Sequence, residues 1–391
     1  MKKKNIILAL LPVLFGFFIM GFVDVVGIAT SYVKEEFGLS EQMSGFLPSM
    51  VFIWFLLFSI PFAGVMNKIG RKNTVLLSLF VTFIGMMMPI LSGTLNMTVC
   101  FIAFALLGIG NAILQVSLFP LLSNIVQGKQ LTGSITAGQV LKALSSFFGP
   151  FIALFAINTW GNWSYIFPVF GTVTIIAALW LMFVPIEKES QTESTSMTDA
   201  LQTLKNSKIL LFFIGIMVVV GIDVGVNMLA PKLLVERLGL TTGDKVVQLA
   251  SSIYFACRTI GAFIGAALLM KVNPMKYFRI HIVVGMLALT GLLFVKDQLL
   301  ILCLIGIAGY GFSSIFAIIF SLAMQTLPQK ANTISGLMVT AIVGGALVPP
   351  IMTFVTSLMN GNQSGAVLVL VLITLFLLYL SFSKQTKQIA Q

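Results

Sequence analysis

Charged side chains make up only 9% of the 391 residues, too few to solvate the surface of a water-soluble chain of this length. A soluble fold is excluded. Histidine occurs once, at His281, so His-Glu-x-x-His zinc chemistry is impossible, and no Gly-x-Ser-x-Gly elbow is present. These absences argue against a membrane enzyme, and no cofactor or metal is implied. Cysteine is scarce too: Cys100, Cys257 and Cys303 have neither pairing nor metal-ligand spacing and read as packing residues. The start carries Lys2, Lys3 and Lys4 but no Ala-x-Ala-like cleavage site, so the stretch that follows reads as a retained first helix rather than a signal peptide.

What the chain has instead is apolar length. Hydrophobic residues reach 58%, in runs of about 20 residues, the length that crosses a bilayer core. Twelve such spans are predicted: 5–32, 44–66, 74–93, 97–123, 133–157, 163–186, 208–234, 247–270, 277–295, 299–325, 332–358 and 364–382. The expected fold is all-α, with twelve membrane helices.

A net charge of +11 would suit a nucleic-acid partner, yet the basic residues sit where membrane topology places them. With the amino terminus inside, Lys2, Lys3, Lys4, Lys68, Arg71, Lys72, Lys129, Lys188, Lys205, Lys208, Lys271, Lys276, Arg279, Lys330, Lys384 and Lys387 are cytoplasmic. Only Lys34, Lys232, Arg237, Lys245 and Lys296 fall outside. This asymmetry predicts an inner-membrane protein with both termini in the cytoplasm and no nucleic-acid role.

The one long polar stretch, 187–207, divides the helices into six and six, at 1–186 and 208–391. Adding 199 carries Asp24 onto Asp223, Gly110 onto Gly309 and Pro150 onto Pro349. Adding 201 carries Glu35, Gly38, Leu39 and Gly64 onto Glu236, Gly239, Leu240 and Gly265. Two neighbouring offsets are the trace of a duplicated six-helix unit with a small insertion.

Four ionisable residues fall deep within predicted spans: Asp24, Lys142, Asp223 and Arg258. A charge near the bilayer centre costs at least about 2.5–3.5 kcal/mol, so such groups face a watery cavity or a partner. Helical spacing puts further polar residues on shared faces: Asn111 with Gln115, Gln139 with Lys142 and Ser146, Asp223 with Asn227, Tyr254 with Arg258, and Tyr310 with Ser313 and Ser314. These stripes predict a hydrated interior that serves as a substrate path. Two readings of the charges stay open. Asp24 with Lys142, and Asp223 with Arg258, either form fixed pairs that hold each bundle, or one carboxylate loses its partner during a cycle and takes up a proton. Asp24 and Asp223 are the candidate proton sites. His281 reads as structural.

Between the second and third spans, Gly64-Val-Met-Asn67-Lys68-Ile-Gly70-Arg71-Lys72 resembles the cytoplasmic gating loop of the major facilitator superfamily, with Asn67 in place of the usual Asp. The stretch Gly309–Pro350 resembles the fucose, glucose and galactose:proton symporter family within it. So do Gly21-Phe-Val-Asp24, Gly221-Ile-Asp223-Val-Gly225, and Gln139 with Phe148-Gly149-Pro150. The resemblance implies uptake of a monosaccharide with a proton by alternating access, usually by a monomer, with the sugar held by amides of the fourth and fifth helices and by aromatic faces. Two departures matter. The family's acidic residue on the fourth helix is matched by Gln115, and a family Asn on the fifth by Lys142. A cation beside the sugar site suggests an acidic sugar, with Arg258 as a second ligand. Ser145-Ser-Phe-Phe-Gly149-Pro150 partly resembles the motif of drug:proton antiporters, so efflux is the alternative. A non-transporting solute sensor is a further one.

Overall fold

The computed structural model describes residues 3–24, 29, 33, 36–38, 41–92, 96–187, 196–241 and 244–383. Over the described residues, which leave out 25–28 and 30–32 of the first span, each predicted span falls on a helix or a broken pair of helices. They are α1 (Lys3–Met20, continued by a 3-10 turn at Gly21–Asp24), α2 (Glu41–Ile69), α3 (Arg71–Leu91), α4 (Met97–Ser123), α5 (Gly128–Trp160) and α6 (Ile166–Phe183). After a short linker helix at Met197–Leu204 come α7 (Ser207–Leu238), α8 (Lys245–Leu269) and α9 (Pro274–Gly291). The last three are α10 (Gln298–Phe312, then Ile315–Thr326), α11 (Ala331–Thr340, then Gly344–Leu358) and α12 (Ser364–Phe382). No strand occurs among the described residues.

Polar residues between the apolar runs set several helix limits. Asn96 accepts a hydrogen bond from the Val99 N–H, Asp297 from Leu300, and Asn273 from Met275 with Pro274 at the first helical position. Gly161 and Gly239, at φ 71° and 64°, end α5 and α7 in the left-handed region. Among the described residues, nine helices are long and apolar enough to cross a membrane. Large apolar side chains lie exposed along them, including Phe183, Phe263 and Leu299 at 80%, 69% and 69%. Such a surface has no favourable contact with water and is at home in lipid.

The chain forms two compact units. One comprises residues 1–127, 138–203 and 329–340; the other comprises 128–137, 204–328 and 341–391. In the first, buried phenylalanines fill the space around α1: Phe17 meets Phe119 edge-on at 5.3 Å, and Phe22 meets Phe170 at 4.1 Å. In the second, Phe212, Phe278, Phe312 and Phe320 play that part.

Two contacts match at an offset of 200, with Glu36 rather than Glu35 as the counterpart of Glu236. Glu36 accepts from Trp163 Nε1 at 2.8 Å, and Glu236 accepts from the Gln363 N–H at 2.5 Å. Each pair is 127 residues apart. Gly21 and Gly221 are likewise equivalent. A Cβ on Gly21 would stand 2.4 Å from the Lys142 carbonyl oxygen on α5, and one on Gly221 would stand 2.3 Å from Val348 and 3.2 Å from the Gly344 carbonyl on α11. In each unit the first helix touches backbone or near-backbone atoms of the fifth at a glycine, because any side chain would hold the helices apart.

Candidate substrate and coupling site

In the second unit, α8 carries Tyr254 and Arg258 one turn apart, so both reach the same carboxylate on α7. Arg258 binds Asp223 through two parallel hydrogen bonds, Nε to Oδ1 at 3.0 Å and Nη2 to Oδ2 at 2.7 Å, and the Tyr254 hydroxyl donates to Oδ1 at 2.6 Å. The Asp223 side chain is 13% exposed and that of Arg258 23%. Tyr254 is fully buried. One turn further along α7, the Asn227 carbonyl accepts from Ser251 Oγ at 3.0 Å, and the Asn227 side chain is half-buried. The seam between α7 and α8 is therefore a polar ladder with a bidentate ion pair at its centre. Of the two readings of Asp223 and Arg258, the paired one is the arrangement present. Tyr310 and Ser314 lie further along α8, where Cβ atoms on Gly261 and Gly265 would stand 3.0 Å from Tyr310 Cδ2 and 2.2 Å from Ser314 Oγ.

In the first unit, Asn111 and Gln115 form a chain of amides. Gln115 Nε2 donates to Asn111 Oδ1 at 2.8 Å, and Asn111 Nδ2 donates to the Met20 carbonyl at 2.7 Å. Both side chains are buried. Met20 is the last residue of α1 before the backbone tightens into the 3-10 turn. Asn111 therefore bonds the main chain of α1 at the point where its pitch changes. Gln139 and Lys142 stand half-buried on α5, and Gly21 rests against the Lys142 carbonyl. The side chains of Asp24 and Ser146 lie outside the described residues, although Asp24 closes the 3-10 turn.

The loop from Gly64 to Lys72 is built into the first unit. Arg71 is buried, its Nε donating to Asn332 Oδ1 at 2.8 Å and its Nη1 to the Pro120 carbonyl at 3.1 Å and to Asn124 Oδ1. Asn332 Nδ2 donates in turn to Asn67 Oδ1 at 2.5 Å. Gly64 lies on the final stretch of α2, and a second glycine, Gly336 of α11, packs where a Cβ would stand 3.0 Å from the Ser59 carbonyl. Asn67 thus takes part in the network as an amide acceptor. Among the described residues no group of three or more His, Cys, Asp or Glu side chains is placed to hold a metal ion.

A sequence profile of the Major Facilitator Superfamily matches residues 12–350. The chain belongs to the major facilitator superfamily. As a member, it is a multi-pass membrane protein with that superfamily's all-α fold of twelve helices in two six-helix bundles. The fold agrees with FucP, a superfamily transporter solved in an outward conformation, at a TM-score of 0.84 and 17% identity over 99% of this chain and 100% of that one. It also agrees with the proton:xylose symporter XylE at 0.71 and 15% identity, over 97% and 95%. Among curated proteins, a Helicobacter pylori protein provisionally named a glucose/galactose transporter is 25% identical over 385 residues, 93% of each chain. The glucose/galactose transporter of Brucella abortus is 23% identical over 363 residues, 89% of this chain and 87% of that one.

Two features of the site escaped the sequence. The Met20 carbonyl, a main-chain atom, has no side-chain signature. Gly21 and Gly221 differ by 200, between the two offsets followed, and a search at that offset finds them.

Proposed function

We propose that this protein imports a monosaccharide together with a proton by alternating access of its two six-helix halves, 1–186 and 208–391, around a site near the membrane midplane. The observation that carries the reading is that relatives matched over about nine-tenths of the chain are named for glucose and galactose transport. The intramembrane polar groups support it. Asn111, Gln115 and Gln139 offer amides suited to sugar hydroxyls, Tyr310 offers an aromatic face, and Asn227 and Ser314 add polar contacts from the second half. Lys142 supplies a cation that recognises the carboxylate of an acidic sugar, with Arg258 as a second ligand once it leaves Asp223.

Proton coupling falls to Asp24 and Asp223. Asp223, bonded to Tyr254 and Arg258 in the arrangement present, is the second candidate. Asp24 is the first choice because its position closes the break in α1. One proton crossing 100 mV supplies about 2.3 kcal/mol, which corresponds to roughly fifty-fold accumulation. The loop at Gly64, Asn67 and Arg71 gates the cytoplasmic side. The protein acts as a monomer in the inner membrane, with both termini in the cytoplasm, and performs no covalent chemistry.

The test is uptake by proteoliposomes under an imposed pH gradient, using a labelled panel of neutral and acidic monosaccharides. Gradient-driven uptake of one sugar is the expected result. No uptake of any sugar, with extrusion of a different solute instead, overturns it.

A further inference from the structure

A groove of about 550 Å³ runs along the seam between α8 and α10 in the second unit, walled by Ile253, Cys257 and Ile260 on one side and by Leu299, Cys303 and Ile307 on the other. Spacings of three and four put each set on one face of its helix. The groove exists because small residues line its floor. A Cβ on Gly306 would stand 3.0 Å from Cys257 Sγ, and one on Gly309 would stand 2.4 Å from the Tyr254 carbonyl oxygen. The two helices therefore touch along this seam, and Cys257, Cys303 and Gly306 are too short to fill the space beside the contact.

Chemistry and length define what fits there. Tyr310, at the last position of the groove on α10, brings the one hydroxyl, and thiols are weak hydrogen-bonding groups, so the walls offer no set of polar atoms for a sugar or an ion. Ile260, Leu299 and Ile307 are 58%, 69% and 44% exposed, a surface that water leaves and a hydrocarbon chain covers. Both helices are long and apolar enough to cross a membrane. Leu299 stands in the first turn of α10 and Tyr310 near the end of its first segment. At about 1.5 Å per residue the two lie roughly 16 Å apart along the axis, about half of a hydrocarbon core of about 30 Å, which is the depth of the chains of one leaflet. Just before Leu299, at the mouth, Lys296 and Asp297 are both exposed. Asp297 Oδ1 accepts from the Leu300 N–H at 3.0 Å, which holds the carboxylate at the start of the helix. A cation and an anion side by side complement a headgroup that carries both a phosphate and an ammonium, whereas a purely anionic headgroup is drawn to Lys296 and repelled by Asp297.

We infer that the groove between α8 and α10 holds one acyl chain of a zwitterionic phospholipid, with its phosphate on Lys296 and its ammonium on Asp297. The full-length protein is reconstituted in vesicles with a trace of phosphatidylethanolamine or phosphatidylglycerol that carries a photoactivatable diazirine on one acyl chain. After irradiation the adducts are located by mass spectrometry. Phosphatidylethanolamine adducts are expected on Cys303 and Ile307 at about threefold or more the density of those on Leu372 and Leu375, exposed residues of α12, and phosphatidylglycerol is expected to label the groove about threefold less, the effect of one exposed charge contact. Cys303→Trp, at an exposed position, fills the groove and is expected to remove the excess at Ile307 while labelling of α12 stays. Lys296→Gln with Asp297→Asn, which keeps a side chain able to cap α10, is expected to erase the preference between the two headgroups. Groove adducts no denser than those on α12 overturn the inference, as do an unchanged pattern in the folded Cys303→Trp protein and equal labelling of the groove by the two lipids.

Discussion

Arg258 grips Asp223 side-on, with Nε and Nη2 each on a separate carboxylate oxygen, so that one guanidinium occupies both acceptors facing α8. A new partner for these two oxygens on that side must therefore displace the arginine. Arg258→Ala removes two charge-assisted hydrogen bonds and leaves Tyr254 alone on Asp223. The expected loss is about 1.5–3 kcal/mol, read as a lower unfolding temperature in detergent. Pairing it with Asp223→Asn recovers part of the loss, because the uncompensated charge is then gone. A double-mutant cycle without coupling would show that the pair contributes nothing.

Uptake separates the two acidic candidates. Asp24→Asn is expected to abolish gradient-driven accumulation while leaving exchange of labelled for unlabelled sugar across the membrane, since exchange needs no net proton movement. If accumulation survives in Asp24→Asn and fails in Asp223→Asn, the coupling site lies in the second half.

Lys142→Gln keeps a polar side chain, one atom shorter, and removes its charge. Acidic monosaccharides are expected to lose uptake by about tenfold or more, the effect of one charge-assisted contact, while neutral hexoses keep theirs. Neutral and acidic sugars competing equally in the unaltered protein would refute a carboxylate-binding role.

Asn111→Leu removes its donor from the Met20 carbonyl and its acceptor from Gln115 at once. Two buried hydrogen bonds lost predict about 0.5–1.5 kcal/mol each. Gln115→Leu leaves the Asn111–Met20 bond in place, so the drop in unfolding temperature is smaller. Equal drops would mean that the amide chain does not hold the end of α1.

Gly344→Ala is predicted to be among the most damaging alanine substitutions. Its Cβ would stand 2.0 Å from the Met217 carbonyl oxygen, a main-chain atom that moves only if α7 moves. Overpacking of this kind costs about 1–3 kcal/mol, and expression with thermal unfolding reports it. Gly21→Ala, at 2.4 Å from the Lys142 carbonyl, is expected to behave alike.

The helices, their number and nearly all their limits follow from the sequence, because the need to span a bilayer writes itself as length, apolar content and flanking charge. The repeat shows in the sequence as two neighbouring offsets, 199 from Asp24 to Asp223 and 201 from Gly64 to Gly265. The ionisable residues inside the spans were legible because burying each of them costs energy that only a partner or a function offsets. Which partner each one takes was not. Arg258 was the partner offered for Asp223, with Tyr254 on the same face of α8, and only packing of α7 on α8 shows that both bind it at once. The fate of Met20's carbonyl, and the groove that Cys257, Cys303 and Gly306 leave between α8 and α10, depend on helices meeting at chosen heights. Linear order fixes what each helix is; the heights at which helices meet come from side-chain interlocking between residues far apart in the chain, and that is decided in three dimensions.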